Sequence, residues 1–322
     1  MPNVINIVVA CTKRKRARTI PDLQLRTVSG KTLIARFRTW RSRLSKNSDR
    51  FLYARDLYAG DHWTVVKSLP EVAARSGFAA RVWVCSAGYG LIPLDARVHS
   101  YQATFTPGSP DSVSRGIQNG SASQAAKLWW ELLSSWRGPV PNAPRSIHAL
   151  ARRHPRCPLV IVASPGYVNA IEDDVASAAK MLRQPGDLIV FSSVRRTNSP
   201  LSSYFVPCSA VLQRVVGGAR TSLNVRLLRR ILQQCRSGRL RHTSVRQSLE
   251  NLIRHQPQEA RVIRKSASDA QVRRYIAHEL KVNREIKLGP LLQKFRCRGN
   301  ACEYSRFRRL WWDAQKRGIH AA

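Results

Sequence analysis

The stretch "CSAGYGLIPLD" (85–95) gathers several side chains that could do chemistry. An apolar run ends at Ser86; a small-residue turn with Tyr89 and Gly90 follows, then the carboxylate of Asp95, and Tyr101 lies just downstream. Small residues at a strand end let backbone N–H groups approach an anion closely. A carboxylate there can orient a water or face a developing cation, and tyrosine rings can stack on a base or bond to it. Plainer roles are open too: a turn or helix cap for Asp95, and core packing with a bonded hydroxyl for the tyrosines.

Other segments offer the same chemistry. Asp56 and Tyr58 stand in "ARDLY" (54–58), where Asp56 is a second candidate carboxylate or a helix-start cap. Cys11 and Lys13, in "CTKRK" (11–15), suit contact with a base or a phosphate. Ser164 and Tyr167 follow another apolar run in "SPGY" (164–167). Asn224 and Arg226, in "TSLNVR" (221–226), suit a base edge and a phosphate, although Asn224 also suits a helix cap. Asp111 and the Glu172–Asp174 cluster are the next carboxylates to consider.

These groups need a frame. Four β-branched runs, "VINIVVA" (4–10), "ARVWVCSA" (80–87), "PLVIVASPG" (158–166) and "DLIVFSSV" (187–194), read as strands buried on both faces. Helical patterns over 61–77, 121–138 and 169–186 lie between them. That alternation predicts an α/β fold with a parallel sheet. Ligands of such sheets bind beyond the carboxyl ends of the strands, and all four runs end in small or polar residues.

The 322 residues carry 55 Lys and Arg against 19 Asp and Glu, a formal net charge of +36, well beyond what solubility requires. Arginine forks match phosphate geometry, so a polyanion is the expected partner, and DNA in particular. Seven irregularly placed cysteines argue against a disulfide framework. Cys297 and Cys302 form one C-x4-C pair without the further ligands a structural zinc needs, so neither metal nor cofactor is expected. No P-loop, G-x-G-x-x-G, H-E-x-x-H or G-x-S-x-G pattern occurs. No signal peptide and no apolar run of spanning length is read, which leads to the expectation of a cytoplasmic protein with no membrane partner.

Beyond residue 205 the character shifts. Leu223, Leu227, Leu228, Ile231 and Leu232 form the apolar stripe of a basic helix, read as core. The expected organisation is an α/β domain over 1–205, a basic helical region over 206–265 and a helical DNA-binding module over 266–322. That module matches a helix-turn-helix or winged helix, with 302–317 as recognition helix and Phe307, Leu310 and Trp311 inward. A plain three-helix packing domain is the alternative.

Together, "VVACTKRK", "YARDLYAGDHW" and "CSAGYGLIPLD" resemble, in that order, a bacterial domain family with Cys-x-x-Lys, D-L-Y and S-A-x-Y-G-L segments. That family is similar to the peroxide-stress protein YaaA and to the amidotransfer domain of archaeosine synthase. The resemblance spans roughly 4–110, "GGARTSLNVR" (217–226) extends it, and it implies a uracil-DNA-glycosylase-like α/β fold. One departure stands out: the family's second carboxylate, after Tyr101, is Gln102 here, which speaks against lysine-transfer chemistry. Fold, size and charge also resemble the antiphage DNA glycosylases of the Brig type. That likeness implies excision of a modified base, such as glucosylated hydroxymethylcytosine, from double-stranded phage DNA, leaving abasic sites. Asp95 would then face the cationic sugar, Tyr89 and Tyr101 would hold the flipped base, and Ser86 with the Gly90 turn would grip a phosphate. The alternatives are a deazaguanine-type nucleotide-modifying transferase and a non-enzymatic DNA-binding stress protein.

Overall fold

The computed structural model describes residues 3–46, 51–116, 120–193, 198–235, 238–257, 265–283 and 285–319. They form two compact units, Met1–Gln256 and Pro257–Ala322.

The first unit is built on strands β1 (Asn3–Ala10), β3 (Phe78–Ser86), β4 (Gly90–Pro93), β6 (Leu159–Val162), β7 (Leu188–Ser192) and β8 (Phe205–Pro207), with a separate ribbon of β2 (Leu52–Tyr53) and β5 (Arg97–Val98). The sheet order is β4-β3-β1-β6-β7-β8. Every pairing in it is parallel except β3 with β4, which form a hairpin. The β-branched runs are dry on both sides, with Ile5, Ile7, Val9, Val84, Val160 and Val190 inaccessible, as expected for strands covered by helices on both faces.

The helices of this unit are α1 (Leu33–Lys46), α2 (Ala54–Leu57), α3 (Asp61–Arg75), α4 (Ala122–Ser135), α5 (Ile147–Arg153), α6 (Pro165–Ala179), α7 (Gln213–Val216), α8 (Leu223–Gln234) and α9 (His242–Arg254). α3 packs on β3 and α8, while α1 packs on α4, and α4 and α5 both pack on α6. From β1 the chain moves first to β3 on one side and later to β6 on the other. Right-handed crossovers running in opposite directions put their helices on opposite faces, which accounts for α3 lying apart from α4, α5 and α6.

The boundary expected at residue 205 is absent. β8 adds a sixth strand, the α8 stripe is buried against α3, β6 and β7, and α9 packs on β8. The apolar face that looked like the start of a separate region completes the main core.

The second unit holds β9 (Lys265–Ser266), β10 (Asn300–Ala301), α10 (Asp269–Val282), α11 (Leu288–Cys297) and α12 (Tyr304–Ile319). Val272, Ile276, Leu291, Phe295, Phe307 and Leu310 form its core, and Trp311 packs against it. A capping box of Ser268 with Gln271 starts α10. The two short strands pair in parallel, unlike the antiparallel hairpin of a wing. Among the described residues of both units, no helix is long and apolar enough to cross a membrane.

Candidate functional site

β1 is the strand at which the sheet order reverses, and the crevice outside the carboxyl ends of β1 and β6 is the place where such sheets bind ligands. A cleft of about 490 Å³ lies there. Its walls come from the loop after β1 (Cys11 to Arg14), the turn into α3 (Gly60 to His62), the turn into α6 (Ser164, Tyr167) and the start of α8 (Thr221, Asn224). Three helix N-termini therefore meet on one cavity. None of the three carries a hydrogen bond from its cap side chain; the Asp61 carboxylate stands in the first turn of α3 and against the start of α8, whereas the first turn of α6 holds no acid and leaves its partial positive charge to an anion. Gly60 caps α3 at φ 97°, a conformation that favours glycine. Lys13 and Arg14 are exposed on the lip.

The polar groups in the wall are incompletely paired. The Cys11 Sγ and Tyr167 hydroxyl lie 3.2 Å apart. Asn224 donates from Nδ2 to the Ala163 carbonyl (3.2 Å), which turns its Oδ1 away, and that oxygen has no protein partner. The buried Nε2 of His62 is also without a protein partner. Burial pushes the His62 pKa down to about 4, so its imidazole is neutral near pH 7. A buried acceptor left unpaired costs roughly 1–3 kcal/mol, a cost that a ligand donor or a fixed water would remove.

Asp61 is the carboxylate in this wall. Arg226 holds both its oxygens, and Ser222 Oγ and the Ala219 N–H (3.0 Å) donate to it as well. The Arg226 hydrogen bond, followed by that of Ser222, keeps the carboxyl well below the usual carboxylate range. Asp61 is thus ionised, and it ties the first turn of α3 to the first turn of α8.

A buried polar network lies beside the cleft. The Tyr101 hydroxyl is 2.6 Å from Ser86 Oγ and 2.9 Å from the Tyr58 hydroxyl. Ser86 Oγ accepts from the N–H groups of Gly88 and Tyr89, and the Tyr89 hydroxyl accepts from His99 N–H at 3.0 Å. Burial pushes the Tyr58, Tyr89 and Tyr101 phenols up, so all stay protonated. Lys15 reaches over the Tyr101 ring, with Nζ 4.3 Å from its centroid, and donates to the Thr12 carbonyl at 3.2 Å. Burial lowers the Lys15 pKa to about 8.

The structure brings Cys11, Lys13, Ser164, Tyr167 and Asn224 to the cleft. Arg226 acts one step back, through Asp61. Ser86, Tyr89, Gly90 and Tyr101 are placed differently from the expectation. The 86–90 turn closes the β3–β4 hairpin, and its carbonyls accept from Trp40 (onto Gly88) and Trp129 (onto Ala87), both at 2.9 Å. Ser86 and Tyr101 are fully buried. The strand ends in glycines because the chain reverses through a packed corner, where a Cβ on Gly88 would meet the Tyr101 ring at 2.5 Å.

The two expected catalytic carboxylates lie outside the cleft. Because β4 runs antiparallel to β3, the chain has turned back by the time it reaches Asp95. Leu94 N–H bonds to the Val82 carbonyl (3.1 Å), so Asp95 sits exposed about 13 Å below the strand end at roughly 3.3 Å per residue. Asp56 is half-exposed and paired with Lys67 (3.4 Å) and Arg55 (3.5 Å). The reserve carboxylates are also structural: Asp111 accepts from Arg26 N–H, Glu172 from Ser199, and Asp174 from the first amides of α5 and from Trp130.

Sequence reasoning passed over Asp61, His62 and Lys15. The available signal was "AGDHW", a glycine followed by charged and imidazole groups at a helix start, directly after the D-L-Y segment. Among the described residues, no group of three or more His, Cys, Asp or Glu side chains is placed to hold a metal ion. No family model, curated protein or solved structure matches the chain.

Proposed function

We propose that the protein is a DNA glycosylase that draws a modified nucleotide out of the duplex into the β1/β6 cleft and hydrolyses its N-glycosidic bond. The observation that carries this reading is the meeting of the open α6 N-terminus with Lys13 and Arg14 on one cavity whose wall also holds the ionised Asp61. A flipped nucleotide brings a phosphate for those positive groups, and a cavity of about 490 Å³ accommodates a nucleoside. The unpaired Oδ1 of Asn224 suits an amino or imino donor of a base edge.

The carboxylate role passes from Asp95 to Asp61. As the bond from C1′ to the base breaks, positive charge grows on the sugar, and an ionised carboxylate in the wall stabilises it. The neutral His62 imidazole accepts a hydrogen bond from the incoming water and orients it. The base leaves with the electron pair of the broken bond and takes a proton from solvent, water oxygen joins C1′ and gives up one proton to solvent, and an abasic site with a C1′ hydroxyl remains. The sheet is compatible with a uracil-DNA-glycosylase-like fold, and the α10–α12 unit, with its basic α12, is assigned to duplex binding. Cytoplasmic action on invading phage DNA follows from the same reading.

The test is incubation with phage genomes that carry glucosylated, hydroxymethylated or unmodified cytosine, followed by mass analysis of released bases and alkali treatment. Free modified base together with alkali-labile sites is the expected result. Exchange of a base without strand lability would replace this reading with a transferase. Salt-sensitive binding with every base retained would replace it with a DNA-binding protein.

A further inference from the structure

The β2–β5 ribbon carries an exposed surface that the cleft does not use. Tyr53 pairs directly with Arg97, while Leu52 and Val98 face inward. Outward stand Phe51 and Tyr53, 39% and 43% exposed, which is unusual for large rings in a unit whose other aromatics are almost all buried. Each ring has a guanidinium over it: Arg97 lies 5.4 Å from the Phe51 centroid and Arg55 lies 4.6 Å from that of Tyr53. Beneath Phe51 lies the buried His99 ring, with centroids 4.0 Å apart and planes inclined by 33°. His99 is in turn fixed by its N–H to the Tyr89 hydroxyl. Phe51 is therefore held on a rigid floor.

A basic segment leads from this ribbon to the cleft. Lys13 and Arg14 are on the cleft lip, and Arg16 and Arg18 follow, exposed while Lys15, Ala17 and Thr19 turn inward. The far end of the segment is pinned next to His99, since Ser100 Oγ donates to the Ala17 carbonyl (2.9 Å) and lies 2.8 Å from Thr19 Oγ1. Among the described residues, no carboxylate forms an ion pair with Lys13, Arg14, Arg16 or Arg18.

We infer that the ribbon and this segment form a track for single-stranded DNA, with phosphates on Arg14, Arg16 and Arg18 and unpaired bases stacked on the Arg97 and Arg55 guanidinium planes that Phe51 and Tyr53 support. The charge excludes an apolar or cationic partner and matches a polyanion. These platforms select unpaired bases, because a duplex hides its base faces in its own stack, whereas aromatic platforms beside a basic groove hold single strands. Cation–π attraction holds the arginines over the rings, and their planes form the layer for stacking. The inference does not depend on whether the cleft breaks a glycosidic bond.

The experiment measures binding by the full-length protein of three labelled probes of equal length: a single-stranded oligothymidylate, the same chain as base-free deoxyribose phosphate, and a duplex. The double variant Phe51→Leu with Tyr53→Leu keeps apolar cover over His99 and removes both π-faces. It should weaken oligothymidylate binding at least about fivefold and leave the base-free and duplex probes within twofold. Equal loss on all three probes, or no loss on oligothymidylate, overturns the inference. In the unaltered protein, photocrosslinking of a strand bearing 5-iodouracil should label the peptide that contains Phe51 and Tyr53. Crosslinks confined to other peptides overturn the inference independently of how the variant folds. Base release is not part of either readout, so failure of the glycosylase reading leaves this test intact.

Discussion

Lys15→Met probes the buried amine beside the cleft. In the folded chain its pKa falls from 10.5 to about 8 because burial penalises the ammonium. An amine whose folded pKa lies below its unfolded value makes the fold less stable wherever it is protonated in both states. The penalty is full below about pH 8 and fades as pH rises towards 10.5. At about 1.36 kcal/mol for each tenfold change in proton affinity, the fall corresponds to about 3 kcal/mol. Methionine has similar length and no charge, so the variant carries no such pH dependence. Urea unfolding of both proteins at intervals from pH 7 to 10.5 yields the difference in stability. That difference should move by about 3 kcal/mol in favour of the unaltered protein between pH 8 and 10.5. Tyrosine ionisation in the unfolded chain lowers both stabilities equally and cancels. If the two curves run parallel across the window, Lys15 is not desolvated in the way its position over Tyr101 implies.

Asp61→Asn should cost about 2 kcal/mol at pH 7, since charged hydrogen bonds to Arg226 and Ser222 are lost. Because the folded carboxyl lies below its usual range, that contribution is present above it and is lost on acidification. The gap between variant and parent in urea unfolding should therefore shrink below about pH 4. Tyr101→Phe removes the hydroxyl shared by Ser86 and Tyr58 and should lower stability by about 1–3 kcal/mol; base release assayed on folded protein should stay within twofold. Asp95→Asn should likewise leave base release within twofold, because an exposed turn carboxylate does not touch the cleft; a loss of several orders of magnitude would restore it as the catalytic group. Phe307→Ala empties the centre of the C-terminal core at a cost of about 3–5 kcal/mol, and limited proteolysis should then cut α10–α12 while the main unit stays intact.

The α/β class was legible in the residues alone. Runs such as "VINIVVA" and "PLVIVASPG" are apolar at every position, a pattern that only a sheet covered on both faces can bury. The helices between them and the inward Phe307 and Leu310 of α12 were legible for a related reason: local periodicity and packing agree there. The basic charge pointed to a polyanion, and Cys11, Lys13, Ser164, Tyr167 and Asn224 could be singled out because each follows a strand end or opens a helix. The tertiary structure alone decided which ends share a cleft. That depends on strand order, and order is fixed by crossovers between segments far apart in the chain. Asp95 shows the limit most clearly. Its position after a strand end suggested a place on the crevice, but the antiparallel return of β4 carried it down the sheet edge, and nothing local in "GLIPLD" distinguishes a hairpin from a loop that stays at the rim. Asp61 shows the converse. On paper it was one residue of a helix start, and it became the cleft carboxylate only because Arg226, at the start of a helix 165 residues later, folds against it.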